Sequence, residues 1–195
     1  MKKIPSIFKI DWTDHRRGQV LDEVNPGCEW VLEGSGYPTR KWDGTACLIQ
    51  DGVLYKRYDR KKDKNTDEYK QAPEGWFAAQ DPDPITGHWT GWMPINVNDK
   101  WHQEVFPLVS QLPDGTYELV GPKVNGNPEH LCMHVLIQHG NMFYDVPDRS
   151  REGLKTFLEE NEIEGLVFHH PDGRMAKIKR KDFGIPWPVK EKELE

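Results

Sequence analysis

Residues 45–58 read TACLIQDGVLYKRY, two runs rich in apolar residues on either side of Asp51-Gly52. Asp-Gly supplies the positive-φ positions that a tight hairpin turn requires, so this stretch is committed to an antiparallel strand pair. Similar runs recur at EWVLE (29–33), TYELVG (116–121), LCMHVLIQ (131–138), GLVFHH (165–170) and MAKIKR (175–180). A chain punctuated in this way builds antiparallel sheets.

Helical periodicity is confined to two places. In SREGLKTFLEENE (150–162), Ser150 or Asp148 can cap, and Leu154, Phe157 and Leu158 share one face. In DKWHQEVFPLVSQL (99–112), Asp99 can cap, and Pro107 bends or ends the helix. The segment EGSGYPTR (33–40) reads as turn-rich. Residues 71–98, dense in Pro, Gly and Trp, read as a long ordered loop whose aromatics are buried.

Composition limits the function classes. The 195 residues suit one compact domain, expected over 1–188, with a charged, flexible tail at 189–195. The balance of 32 acidic against 26 basic residues confines any nucleic-acid contact to a local patch. No apolar run approaches the roughly 20 residues of a membrane span, and no export signal is evident at the start, so a cytoplasmic protein without membrane partners is expected. Three cysteines without a CxxC pair fit reduced thiols.

Four short stretches carry the chemistry: KWDG (41–44), YELVG from Tyr117, EGLVF from Glu164 and AKIKRKDFG from Ala176. A lysine amine titrates near 10.4, so Lys41 can act as a nucleophile at neutral pH only if desolvated or set among other cations. Lys177 and Lys179 alternate along a strand-like run and therefore face one side, opposite Ile178. There they can clamp phosphates. Glu164 can bring a carboxylate to a metal bridging those phosphates. Glu118, in an apolar strand, needs a polar partner, and a ribose hydroxyl is one. Gly44 permits close approach of the backbone.

In order and spacing these stretches resemble motifs I, III, IV and V of the covalent nucleotidyltransferases, the superfamily of ligases and mRNA capping enzymes. The steps from Lys41 to Glu118, Glu164 and Lys177 are 77, 46 and 13 residues. Further text, LYKRYDRKKDK, ELVGPKVNGNP, HVLIQHG and IEGLVFHHPDGRMAKIKRKDFGIPWP, resembles a small family of ATP-dependent 5'-3' RNA ligases with vertebrate members, over roughly 29–188. The resemblance implies an α+β fold: the nucleotidyltransferase (adenylation) domain of ligases, with antiparallel sheets flanked by helices and no appended oligonucleotide-binding domain.

It also implies an activity. A lysyl-AMP would form on Lys41 from ATP with Mg²⁺ or Mn²⁺, and AMP would pass to an RNA 5'-phosphate before a 3'-hydroxyl displaces it. Asp43, Gly44, Arg57, Glu118, Gly121, His134 and Glu164 would contact nucleotide, Glu164 the metal as well, and Lys177 and Lys179 the phosphates. RNA would dock on the basic cluster Lys56, Arg57, Arg60, Lys61, Lys62 and Lys64. Two other readings stay open: a GTP-dependent capping-type guanylyltransferase, and a non-catalytic module binding nucleotide or RNA ends. His130, Cys132 and His134 would share a face on a strand but lack a fourth zinc ligand. His169 and His170 would point to opposite faces.

Overall fold

The computed structural model describes residues 3–11, 13, 18–84 and 86–188. The expected tail at 189–195 lies outside the described residues. In chain order the elements are β1 (Phe8–Asp11), β2 (Gln19–Val24), α1 (Glu29–Leu32), β3 (Tyr37–Lys41), β4 (Thr45–Gln50), β5 (Val53–Arg60), β6 (Phe77–Ala78) and β7 (Trp89–Pro94). There follow α2 (Lys100–Val105), a 3-10 helix (Phe106–Gln111), β8 (Gly115–Val120), β9 (Val135–Gln138), α3 (Arg151–Glu160), β10 (Gly165–His169), β11 (Met175–Lys179) and a second 3-10 helix (Arg180–Phe183). The fold is mixed α/β, with antiparallel sheets and few helices. Among the described residues no helix is long and apolar enough to cross a membrane.

The described residues divide into two compact units, one of Lys3 with Gly44–His139, the other of Ile4–Asp43 with residues 140–188. In the first, a six-stranded sheet runs β6-β7-β5-β4-β8-β9. Asp51 and Gly52 join β4 to β5 with φ of 52° and 72°, the hairpin turn that the sequence specifies. Cys47, Ile49, Leu54, Tyr117 and Leu119 fill its core with Val105 and Val109.

In the second unit a three-stranded sheet runs β11-β10-β3, beside the β1-β2 pair. Leu166, Phe168, Ala176 and Ile178 bury one face, alternating with residues of the other. Leu154 and Leu158 of α3, one turn apart, are fully buried in the same cluster, each contributing about 1.5–3 kcal/mol. Ser150 caps α3 by accepting from the Gly153 N–H at 3.1 Å.

Four expectations are corrected. EWVLE forms the short helix α1, a single turn closed by the Glu33 N–H donating to the Glu29 carbonyl at 3.2 Å. YPTRK, read as turn, is β3, an edge strand on which Pro38 is tolerated. The loop 71–98 contains β7, an inner strand. Gly91 disguised it, because the missing side chain leaves room for the Trp76 ring, 2.2 Å from where a Cβ would stand. LCMHVLIQ is strand only from Val135, so His130, Cys132 and His134 do not share a strand face.

The second helix behaves as its sequence implies, ending at Val105 before Pro107 opens a 3-10 turn. Asp99 occupies the cap position without capping: its carboxylate accepts from the Asn96 N–H at 2.8 Å and pairs with Lys56.

Candidate active site

Lys41 ends β3, and its ammonium forms an ion pair with Glu164. The ladder explains the meeting. Gly165 lies opposite Lys41 on one side and opposite Lys179 on the other. A Cβ on Gly165 would stand 2.2 Å from the Ile178 carbonyl oxygen, so only glycine lets the three strands close here. The row Lys41–Gly165–Lys179 thus has two amines flanking a position without a side chain.

The next row, Thr39–Val167–Lys177, adds a third lysine to the same face. Burial, followed by the charges of Lys179 and Lys41, lowers the Lys177 ammonium to about 8. Burial also lowers Lys179. Lys177 forms no ion pair among the described residues, a surplus of positive charge suited to an anion. Burial raises Glu164 despite the opposing pull of Lys41.

The surrounding residues hold this group in place. Asp182 accepts from the Lys179 backbone N–H at 3.0 Å, and its carboxylate lies 3.8 Å from the Lys179 ammonium. Arg180 donates to the carbonyls of Leu158 and Asn161, tying the end of β11 to α3. Trp187 Nε1 donates to Asp43 Oδ2 at 2.8 Å. Sequence reasoning missed both Asp182 and Trp187. The KDFGIPWP string contained them, without a spacing that assigns either a partner.

Within the first unit, Glu118 on β8 accepts from His139 Nε2 at 2.8 Å. The Nδ1 of His139 is buried and without a hydrogen-bond partner among the described residues. A carboxylate only accepts, so Nε2 carries the proton of the bond to Glu118. His139 was also missed. Its signal was position, one residue beyond Ile137 and Gln138, which face Glu118 and Tyr117 on the neighbouring strand.

A Cβ on Gly44 would meet the Leu119 carbonyl oxygen at 2.2 Å, so β8 itself demands this glycine. Gly121, at φ 148°, packs against His134. His134 stacks on Trp101 at 5.0 Å, accepts from the Lys123 N–H at 3.3 Å and meets Glu104 at 2.6 Å, so both ring nitrogens are engaged.

The basic cluster is largely neutralised within the fold. Lys56 pairs with Asp99, Lys62 with Asp67 at 2.8 Å, and Arg57 with Asp59 at 2.9 Å while also donating to Thr90 Oγ1. Arg60 donates twice to the Lys70 carbonyl and lies 4.9–5.5 Å from the rings of Trp89, Trp76 and Tyr69. Lys61 is exposed. Among the described residues no three His, Cys, Asp or Glu side chains gather as metal ligands.

Residues 103–195 match the family profile described as RNA ligase 1. The span includes Glu118, Glu164, Lys177 and Lys179, and leaves out Lys41. Proteins named RNA ligase 1 are also similar to this chain. The one from Pongo abelii is 29% identical, across 80% of this chain and 69% of its own length. That from Rattus norvegicus is 28% identical, across 77% and 68%. The Danio rerio protein is 30% identical, across 63% of this chain and 51% of its own. The chain is thus similar to proteins named RNA ligase 1.

Proposed function

We propose that this chain is an ATP-dependent RNA ligase that joins RNA 3'-hydroxyl and 5'-phosphate ends through a lysyl-AMP on Lys41. The observation carrying this reading is the arrangement of Lys41, Lys177 and Lys179 on one sheet face, with Glu164 against the nucleophile. Lys41 Nζ would attack the α-phosphorus of ATP, forming the P–N bond as pyrophosphate leaves. Lys177 and Lys179 would meet charge developing on the phosphoryl oxygens. The same nucleotidyl group would pass to an RNA 5'-phosphate and leave as AMP when the 3'-hydroxyl attacks.

The partly buried Lys177 ammonium, which forms no ion pair among the described residues, fits a phosphate ligand. With no three-residue ligand cluster among the described residues, a divalent ion would be held by Glu164 and otherwise by phosphate oxygens and water, where it would supply Lewis acidity. Glu118 would hold the ribose, oriented by His139.

Intact-protein mass spectrometry after incubation with ATP, GTP or neither, with Mg²⁺ present, tests this. An AMP-sized gain with ATP, absent in Lys41→Ala, supports the ligase. A GMP-sized gain with GTP alone points to a capping-type enzyme. No gain from unadenylated protein leaves a module that only binds.

A further inference from the structure

Two rows beyond Lys41, the same face of the three-stranded sheet turns from cationic to aromatic. Along β3, Lys41, Thr39 and Tyr37 alternate onto this face, and His169 stands opposite Tyr37 on β10. The Tyr37 and His169 rings are stacked, with centroids 5.2 Å apart and planes within 9°. Residues 142–144 lie along the free edge of β3, where Arg40 N–H donates to the Met142 carbonyl, Thr39 bridges Phe143, and Tyr144 N–H donates to the Pro38 carbonyl. Facing Thr39, Phe143 lies on that same face, its ring 5.3 Å from Tyr37.

These aromatics are open to solvent. Tyr37 is 44% exposed and Phe143 68%. Lys41 lies four residues along β3 from Tyr37, about 13 Å.

We infer that Tyr37 and Phe143 form a stacking platform for an unpaired base of an RNA strand whose phosphate lies on the Lys41, Lys177 and Lys179 end of the face. The identity of that anion rests on the ligase reading. The strip favours RNA over a protein partner because it pairs flat apolar rings with cations along one line, as a strand pairs bases with phosphates. The Tyr37 ring, already stacked on His169, also presents a face of fixed orientation. The stacked base belongs to a nucleotide near the joined end, held by an interaction that tolerates any sequence.

The test uses short 5'-phosphorylated single-stranded RNAs carrying 2-aminopurine at successive positions from the 5' end, titrated with the full chain without ATP. Quenching at one register near the phosphate is expected. The double variant Tyr37→Ala/Phe143→Ala should bind roughly 5- to 100-fold more weakly, with the slope of affinity against salt unchanged, because stacking releases no counterions. Tyr37→Phe/Phe143→Tyr should bind like wild type, which separates loss of the rings from loss of the fold. Binding without quenching at any position, no binding at all, or an alanine variant as tight as wild type would overturn the inference. So would sedimentation showing that the rings hold two copies of the chain together. If wild type quenches the probe but Lys41 never gains AMP, the platform stands and the ligase reading falls.

Discussion

Lys41 and Glu164, 123 positions apart in sequence, are ion-paired. Glu164 immediately precedes Gly165, the residue opposite Lys41 in the ladder, so pairing of β3 with β10 delivers the carboxylate. On the proposed ligase reading, a divalent cation that draws the Glu164 carboxylate away would free the Lys41 amine to attack, coupling metal binding to nucleophile release.

Glu164→Gln is therefore expected to raise the Mg²⁺ concentration for half-maximal adenylation at least about tenfold. Single-turnover adenylation across a metal titration measures it. Unchanged metal dependence would assign Glu164 to holding the lysine alone.

Lys177 titrates at about 8 against an ordinary 10.5. Between these values the unfolded chain keeps the proton and the folded chain has lost it, so this group makes stability rise with pH across that window. Below it, the folded protein carries the full cost of burying the charge. Lys177→Met should be more stable than wild type at neutral pH by on the order of 1–3 kcal/mol, and should lack the rise. Parallel denaturant titrations of the two proteins, pH by pH, decide it; curves that stay parallel would remove burial as the cause. Lys177→Met should also slow adenylation by roughly 10²–10³-fold.

Gly165→Ala drives a methyl group into the Ile178 carbonyl, where backbone cannot yield cheaply. A loss of about 1–3 kcal/mol in unfolding free energy is expected. Thermal melting checks it, and an unchanged midpoint would mean that β10 and β11 separate without cost.

His139→Ala leaves the Glu118 carboxylate, 13% exposed, without its donor. The expected cost is about 1–3 kcal/mol, partly recovered in His139→Gln, whose amide can donate in place of Nε2. If both variants unfold like wild type, the pair has no bearing on stability.

Within the basic segment, Lys61 is exposed and forms no ion pair among the described residues, whereas Arg60 is bound to the Lys70 carbonyl. If this segment meets RNA phosphates, Lys61→Ala should lower the salt slope of RNA binding by about one. Arg60→Ala should act instead by loosening residues 60–70, visible in hydrogen exchange. A slope unmoved by Lys61→Ala would place the RNA elsewhere.

Local chemistry was legible in the sequence. Asp51-Gly52 specified its hairpin, Ser150 its helix, and the KIK alternation placed Lys177 and Lys179 together opposite Ile178. What escaped depended on neighbours remote in the chain. Gly91 looked like a loop residue because the Trp76 ring filling its space lies 15 positions away. The basic cluster looked free because Asp99, partner of Lys56, is 43 positions on. Glu118 announced a need for a partner, and His139 met it from an adjacent strand whose register no local pattern fixes.

The central place of β10 bears on how the protein is made. β3 is synthesised well before the strand that pairs with it, which begins at Gly165, and β11 follows at Met175. A growing chain on the ribosome therefore carries Lys41 until position 164 is reached, 123 residues on, with neither Glu164 nor the other two lysines beside it. Products ending before β10 would be unable to assemble this lysine cluster, so on the proposed ligase reading they could not trap nucleotide in a dead-end adduct.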